Sequence, residues 1–331
     1  MKKILPEYYP LEKDEYKKLW TEGIFIFDAN TLLNLYRYSF DTVENLLNIF
    51  KKIKDRLWLP YQIASEYHEN RLSTILEEEE KYKKIINDIK NSPIKILKDI
   101  DNNLEEYNSR FEKDDILEEL NNLYKGKVGE QYKNEEREKY IKIAEERFKN
   151  GLVPGLRDKD KTINKRYGDV IIWLNTIEKS KEEKKPCIFI TDDLKDDWWL
   201  IVKNKTIGPR PELLREFRNK TSLLFWMYSS KRFIEYAKEF LQTDVKQKTI
   251  NEVEELEKKE KRGKDILLEA LAERLKQQRE TEEFKIRLEE WLKRSRETTS
   301  DQKYNINWGL GKESKSNNIE SEKDNESNED D

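Results

Sequence analysis

Apolar positions gather in a few short blocks separated by long charged stretches. Residues 24–27 (IFIF) follow Gly23 and are apolar on both faces, as in a strand buried inside a parallel sheet. Residues 187–190 (CIFI) repeat the pattern after Pro186, residues 222–228 form a third block, and Leu57-Trp58-Leu59 is a shorter strand candidate. Between these blocks the apolar spacing turns helical. Val43, Leu46, Leu47, Ile49, Phe50 and Ile53 mark one helix. Pro60, suited to a first helical turn, introduces another carrying Ile63, Ala64, Tyr67, Leu72, Ile75 and Leu76. Further helices are predicted over 169–177, 209–219 and 231–241, while 198–207 reads as a strand or an irregular turn. Strands alternating with helices predict an α/β fold with a mostly parallel sheet.

The stretches between are polar in distinct ways. Residues 77–150 are Glu/Lys-rich with helical spacing, read as a helical insertion that is partly an αα-hairpin. Residues 151–166 read as a loop. Beyond Leu241, residues 250–297 predict one or two charged helices with a narrow apolar stripe, suited to dimerisation, to packing back on the domain, or to a protein partner. Residues 298–331 are rich in Ser, Asn, Glu and Asp, and disorder is expected there. The expected organisation is an N-terminal segment 1–23, a domain 24–242, a helical extension 250–297 and an acidic tail.

Composition sharpens this division. Of 331 residues, 40% are charged and 35% hydrophobic, so the charged stretches dilute an ordinary core. The net charge of −4 lies wholly in residues 245–331, which hold 19 basic and 23 acidic residues. No apolar run approaches a membrane span, no signal-type apolar stretch follows the first lysines, and no membrane partner is expected. One cysteine cannot form an internal disulfide, which fits a cytoplasmic location. One cysteine and one histidine exclude a Cys/His zinc site and a two-histidine mechanism. Cys187 is expected in the core and His68 on the surface. Carboxylates are the abundant chemistry, 69 in all.

Two acidic positions share one structural address. Asp28 follows IFIF, and Asp192-Asp193 follow CIFI, so a parallel sheet brings them to the carboxyl ends of its strands, where ligands bind. Like charges there repel, at least one pKa rises, and a hard divalent cation, Mg²⁺ or Mn²⁺, offsets the repulsion. Glu66 lies two turns into the helix after LWL, and Asp169 opens the apolar helix after Gly168.

The segments FIFDANTLLNLY, LWLPYQIASEYHENR, YGDVIIW and CIFITDDLKDDWW, in this order, resemble the PIN-like domain family, in a larger branch with a helical insertion. The resemblance covers about 24–240. It implies a three-layer α/β/α sandwich with a mostly parallel central sheet. It implies Mg²⁺- or Mn²⁺-dependent nuclease activity, mostly on RNA and sometimes on DNA. Residue by residue it implies an acidic quartet of Asp28, Glu66, Asp169 and Asp193, supported by Asn30 and by the Thr191 hydroxyl. Asp192 and Asp196 remain candidates to take or share the place of Asp193, and Asp158 and Asp160 are second-rank candidates.

A nucleic acid needs cations on its phosphates. Residues 156–166 hold Arg157, Lys159, Lys161, Lys165 and Arg166 against Asp158 and Asp160, a net +3 just before Asp169. Lys195, Arg37 and Arg71 are further candidates. Trp173, Trp198 and Trp199 are expected in the core, although the last two sit where a base could stack. The leading reading is a metal-dependent nuclease with RNA favoured. The alternative is a PIN-like module that binds nucleic acid or a protein without cutting.

Overall fold

Three four-residue strands, β1 (Ile24–Phe27), β2 (Cys187–Ile190) and, further along the chain, β5 (Phe225–Tyr228), pair in parallel in the order β1-β2-β5. Phe27 stands opposite Ile190, and Ile190 opposite Tyr228, so the carboxyl ends are level. The computed structural model describes residues 1–90, 113–162, 165–203, 205–259 and 262, all within the unit Met1–Lys264. The expectations for 263–297 and for the acidic tail lie outside these residues.

Alternation along the strands sorts the helices into two layers. Phe25, Phe27 and Tyr228 face one way. They meet Trp20 from α1 (Lys13–Glu22), Phe50 from α3 (Phe40–Lys52) and Phe233 from α9 (Ser230–Phe240). Phe189 and Phe225 face the other way. They meet Trp198 and Trp173, the latter on α7 (Gly168–Glu183), and Phe217 on α8 (Pro211–Thr221). The result is the three-layer α/β/α arrangement. Trp198 stacks on Phe189 and, like Trp173 and Trp199, is buried, so none of the three offers a face to a base.

Three expectations change in detail. Leu57 and Leu59 make only isolated bridges, to Phe25 and Val128, rather than a strand. The uncertain stretch 198–207 is a hairpin of β3 (Trp199–Val202) and β4 (Lys205–Pro209), antiparallel and separate from the main sheet. Leu72 and Leu76 are exposed, and only Ile75 among those three packs inward.

The helix after Pro60 is a single α4 (Tyr61–Lys90), about 45 Å long at the standard rise. The short α2 (Ala29–Leu33) packs on it directly after β1. Within the insertion, α5 (Asp115–Tyr124) sends Ile116, Leu120 and Leu123 into the main core. Ala144 of α6 (Asn134–Lys149) joins Val170, Ile171 and Leu174 of α7 in a second cluster. Residues 247–259 are helical, and Val245, Ile250 and Val253 also enter the main core. Glu252 on that helix accepts hydrogen bonds from the backbone and hydroxyl of Ser39, at the start of α3.

Candidate active site

Asp28 is the first residue after β1 and caps α2, accepting from the Ala29 amide at 2.8 Å. Its other oxygen accepts from Asn30 Nδ2 at 2.9 Å and from Thr191 Oγ1, just past β2, at 2.7 Å. Thr191 Oγ1 in turn accepts from the Asp193 amide at 3.0 Å, which fixes the turn carrying that acid. Asn30 Oδ1 accepts from the Asp192 amide at 3.2 Å. Asn30 and Thr191 thus knit the ends of two level strands together, which is how Asp28 and Asp193 come to share one crevice.

Glu66 arrives from α4, its Oε1 accepting from Gln62 Nε2 at 2.8 Å, one turn earlier. Asp169 arrives at the start of α7. A Cβ at Gly168 would stand 2.7 Å from Glu66 Oε1, so the missing side chain lets the two helices bring these acids close. The four acids line a crevice of about 700 Å³ together with Asp158. Asp158 is buried and is held there by its loop, because Asp197 accepts from the Gly155 amide at 2.9 Å and from the Arg157 amide at 3.3 Å.

Lys195 bridges the acids. Its Nζ lies 2.9 Å from Asp158 Oδ2, 3.0 Å from Asp169 Oδ2 and 2.9 Å from Asp193 Oδ2. Burial alone would lower its pKa, but Asp169 and Asp193 hold it well above the ordinary lysine value. Asp28 is pushed up to about 8 by burial and by Glu66, with Asp169 and Asp193 adding to the push and the Thr191 hydroxyl opposing it. Burial raises Asp169 to about 7, Lys195 opposing and Asp193 and Asp158 reinforcing. Glu66 is raised by burial as well, against the hydrogen bond from Gln62.

This donor set fits a divalent cation in its chemistry. It consists of hard oxygens whose mutual repulsion a cation relieves. Among the described residues no three carboxylates, histidines or cysteines stand in ready metal-ligating array, and Lys195 supplies the positive charge instead.

The other sequence candidates divide. Asp192 is buried, accepting from the Ser230 amide at 2.8 Å, the Ser230 hydroxyl at 2.6 Å and Asn34 at 3.1 Å, so it is taken up in holding the first turn of α9. Asp196 pairs with Arg157, which holds it below the ordinary carboxylate range. Neither lines the crevice, nor do Asp160, Lys159 and Arg166. Arg166 lies over the Tyr167 ring. Lys161 and Lys165 do line it. Arg37 donates to Asn34 and pairs with Glu78, and Arg71 pairs with Asp114, so both serve the fold around α4. Sequence reasoning missed Tyr61, Gln62, Tyr132 and Arg137 in the lining. Gln62 was findable, one turn before Glu66 on one helix. Tyr132 and Arg137 depend on how the insertion folds back. His68 is exposed and Cys187 buried, as expected.

Among the described residues no helix is long and apolar enough to cross a membrane. Searches of curated proteins and of solved structures returned no match. A family model described as PIN like domain matches residues 24–105 and 87–213, which takes in β1, β2 and all four acids of the crevice. With more than half of its length so matched, and with the α/β/α fold that such a match implies, the chain belongs to the PIN-like domain family.

Proposed function

We propose that the chain is a divalent-metal-dependent nuclease, RNA favoured over DNA, with Mg²⁺ or Mn²⁺ held by Asp28, Glu66, Asp169 and Asp193. The observation that carries the reading is the convergence of Asp28, Glu66, Asp169 and Asp193, from four separate elements, on one crevice, where burial and their mutual repulsion push Asp28 up. A bound cation would relieve that repulsion, polarise water and offset charge developing on a phosphodiester. The chain's own residues do the rest. Asn30 and Thr191 orient Asp28. Lys161, Lys165 and Arg137 draw the phosphate backbone to the crevice mouth. Lys195 keeps the acids together until a cation takes over their charge.

The test is incubation of labelled single- and double-stranded RNA and DNA in Mg²⁺ or Mn²⁺, beside Asp28→Asn and Asp193→Asn. Metal-dependent cleavage, strongest on RNA and absent in both variants, is expected. Undiminished cleavage in both sinks the site. The Lys195 bridge also favours a second reading, in which a built-in cation replaces the metal and the module binds without cutting. No thermal stabilisation at millimolar Mg²⁺ or Mn²⁺ would favour that reading.

A further inference from the structure

A second cleft, of about 320 Å³, opens beside the acidic crevice and shares two of its walls, Tyr61 and Tyr132. We infer that it is a nucleobase subsite, taking one base of a single strand whose phosphate lies in the acidic crevice. The inference rests on the reading of the crevice as a nucleic-acid site.

The lining chemistry suits a base better than a phosphate. Trp58, Tyr61 and Tyr132 put three aromatic rings in this cleft, each partly exposed, whereas the tryptophans next to the acids are buried. The Tyr61 and Tyr132 rings meet edge to face at 5.5 Å. Base–aromatic stacking accepts any base, because every base has a π face. Glu130, Glu178 and Glu182 line the same cleft against Lys179, which repels a backbone phosphate yet tolerates a neutral ring bearing amino groups. Lys179 Nζ lies 5.6 Å from the centre of the Trp58 ring, a cation–π contact made within the cleft, so this ring is reachable from it.

The two clefts are also correctly ordered along the helices. Gly168 on α7 lies against Glu66 on α4, while Asn175 further along α7 accepts from Tyr132, which packs on Tyr61 at the start of α4. The helices therefore run antiparallel here, and Asp169 to Asn175 spans about 9 Å along α7. That places the aromatic cleft within reach of a nucleotide neighbouring the one at the acids. Tyr132 is tethered before binding: Asn175 accepts from its hydroxyl and donates to the Tyr140 hydroxyl at 3.1 Å. Tyr140 itself donates to Glu178 at 2.6 Å.

The experiment is fluorescence anisotropy of the full chain with a labelled single-stranded RNA and an abasic oligonucleotide of the same length. Ca²⁺ replaces Mg²⁺, since carboxylates ligate it too, and gels check that the RNA stays intact. Wild type should bind the intact strand more tightly. Trp58→Ala should weaken intact-strand binding roughly 5- to 100-fold, the equivalent of losing one stacked base, and leave abasic binding unchanged. As a second readout that tolerates poor folding of that variant, intact RNA should quench tryptophan emission of the wild type, and Trp58→Phe should remove most of the quench. Equal binding of intact and abasic strands by the wild type overturns the subsite while leaving the acidic crevice as a phosphate site. Equal loss on both strands in Trp58→Ala does the same. Failure of both strands to bind removes the subsite together with the reading it rests on.

Discussion

Lys195 Nζ lies 3.0 Å from Asp169 Oδ2, and the same ammonium reaches Asp158 and Asp193. A loop cation thereby joins the start of α7 to the turn after β2. Removing it leaves three partly buried carboxylates facing one another. Lys195→Met should therefore cost about 3 kcal/mol in metal-free buffer, read by denaturant unfolding. Added Mn²⁺ should recover more stability in the variant than in the wild type, because it restores the missing charge. Equal stability of the two metal-free proteins would contradict this role.

The raised carboxylates set a pH dependence with a definite sign. Asp28 and Asp169 titrate at about 8 and about 7 in the folded chain, against an ordinary 3.8. Between pH 4 and 8 the folded state holds protons that the unfolded chain has lost, so metal-free stability should fall as pH rises. Metal binding must displace those protons. Apparent Mn²⁺ affinity, read by calorimetry, should thus rise between pH 6 and 8, about tenfold per pH unit for each proton displaced. A flat or falling affinity would contradict the coupling.

Gly168 is a spatial requirement rather than a flexible joint. Gly168→Ala puts a methyl group 2.7 Å from Glu66 Oε1 and forces that carboxylate to move. Cleavage should drop on the order of 10- to 100-fold. Stability should change by no more than about 1 kcal/mol, a split that kinetics and thermal unfolding together resolve.

A largely buried ion pair helps anchor the insertion. Arg147 on α6 contacts Glu216 on α8 at 2.6 Å, and Trp173 donates to the same carboxylate at 2.8 Å. Burial pushes Glu216 up, but Arg147, Trp173 and Lys220 together hold it at about 2. The stabilisation is present above pH 4.5 and is lost as pH falls toward 2. Arg147→Met should cost about 3–5 kcal/mol at neutral pH. The gap to wild type should narrow in acid-unfolding curves.

The central sheet and its acids were legible because IFIF and CIFI are buried on both faces, and a parallel pairing has one carboxyl end. Asp28 and the Asp192-Asp193 pair followed from that pattern and Glu66 and Asp169 from the helices next to it, while the quartet itself was what the resemblance to the PIN-like family implied. The strand pattern does not separate Asp193 from Asp192; Asp193 was favoured only through the family resemblance, with Asp192 and Asp196 left as alternatives. Asp192 and Asp193 stand two and three residues past β2, and Ser230, 38 residues on, together with Asn34, draws Asp192 away. The charge of the loop 156–166 was likewise visible, but Asp196 takes up Arg157, so fewer cations reach the crevice than their number suggests. Lys195 was read as a phosphate contact. Asp193 is a near neighbour in its own turn, but Asp158 and Asp169 come from distant segments, and no spacing in the chain announces those two. Tyr132 and Arg137 needed the tertiary fold of the insertion.

The most direct test of the central claim is the rate of single-stranded RNA cleavage in Mn²⁺ by wild type, Asp28→Asn and Asp169→Asn, with each protein first shown to be folded. Wild type is expected to show metal-dependent cleavage that chelation abolishes, and both variants a loss of at least about 100-fold. Cleavage that persists in both variants, or that proceeds equally with chelator, would contradict the claim.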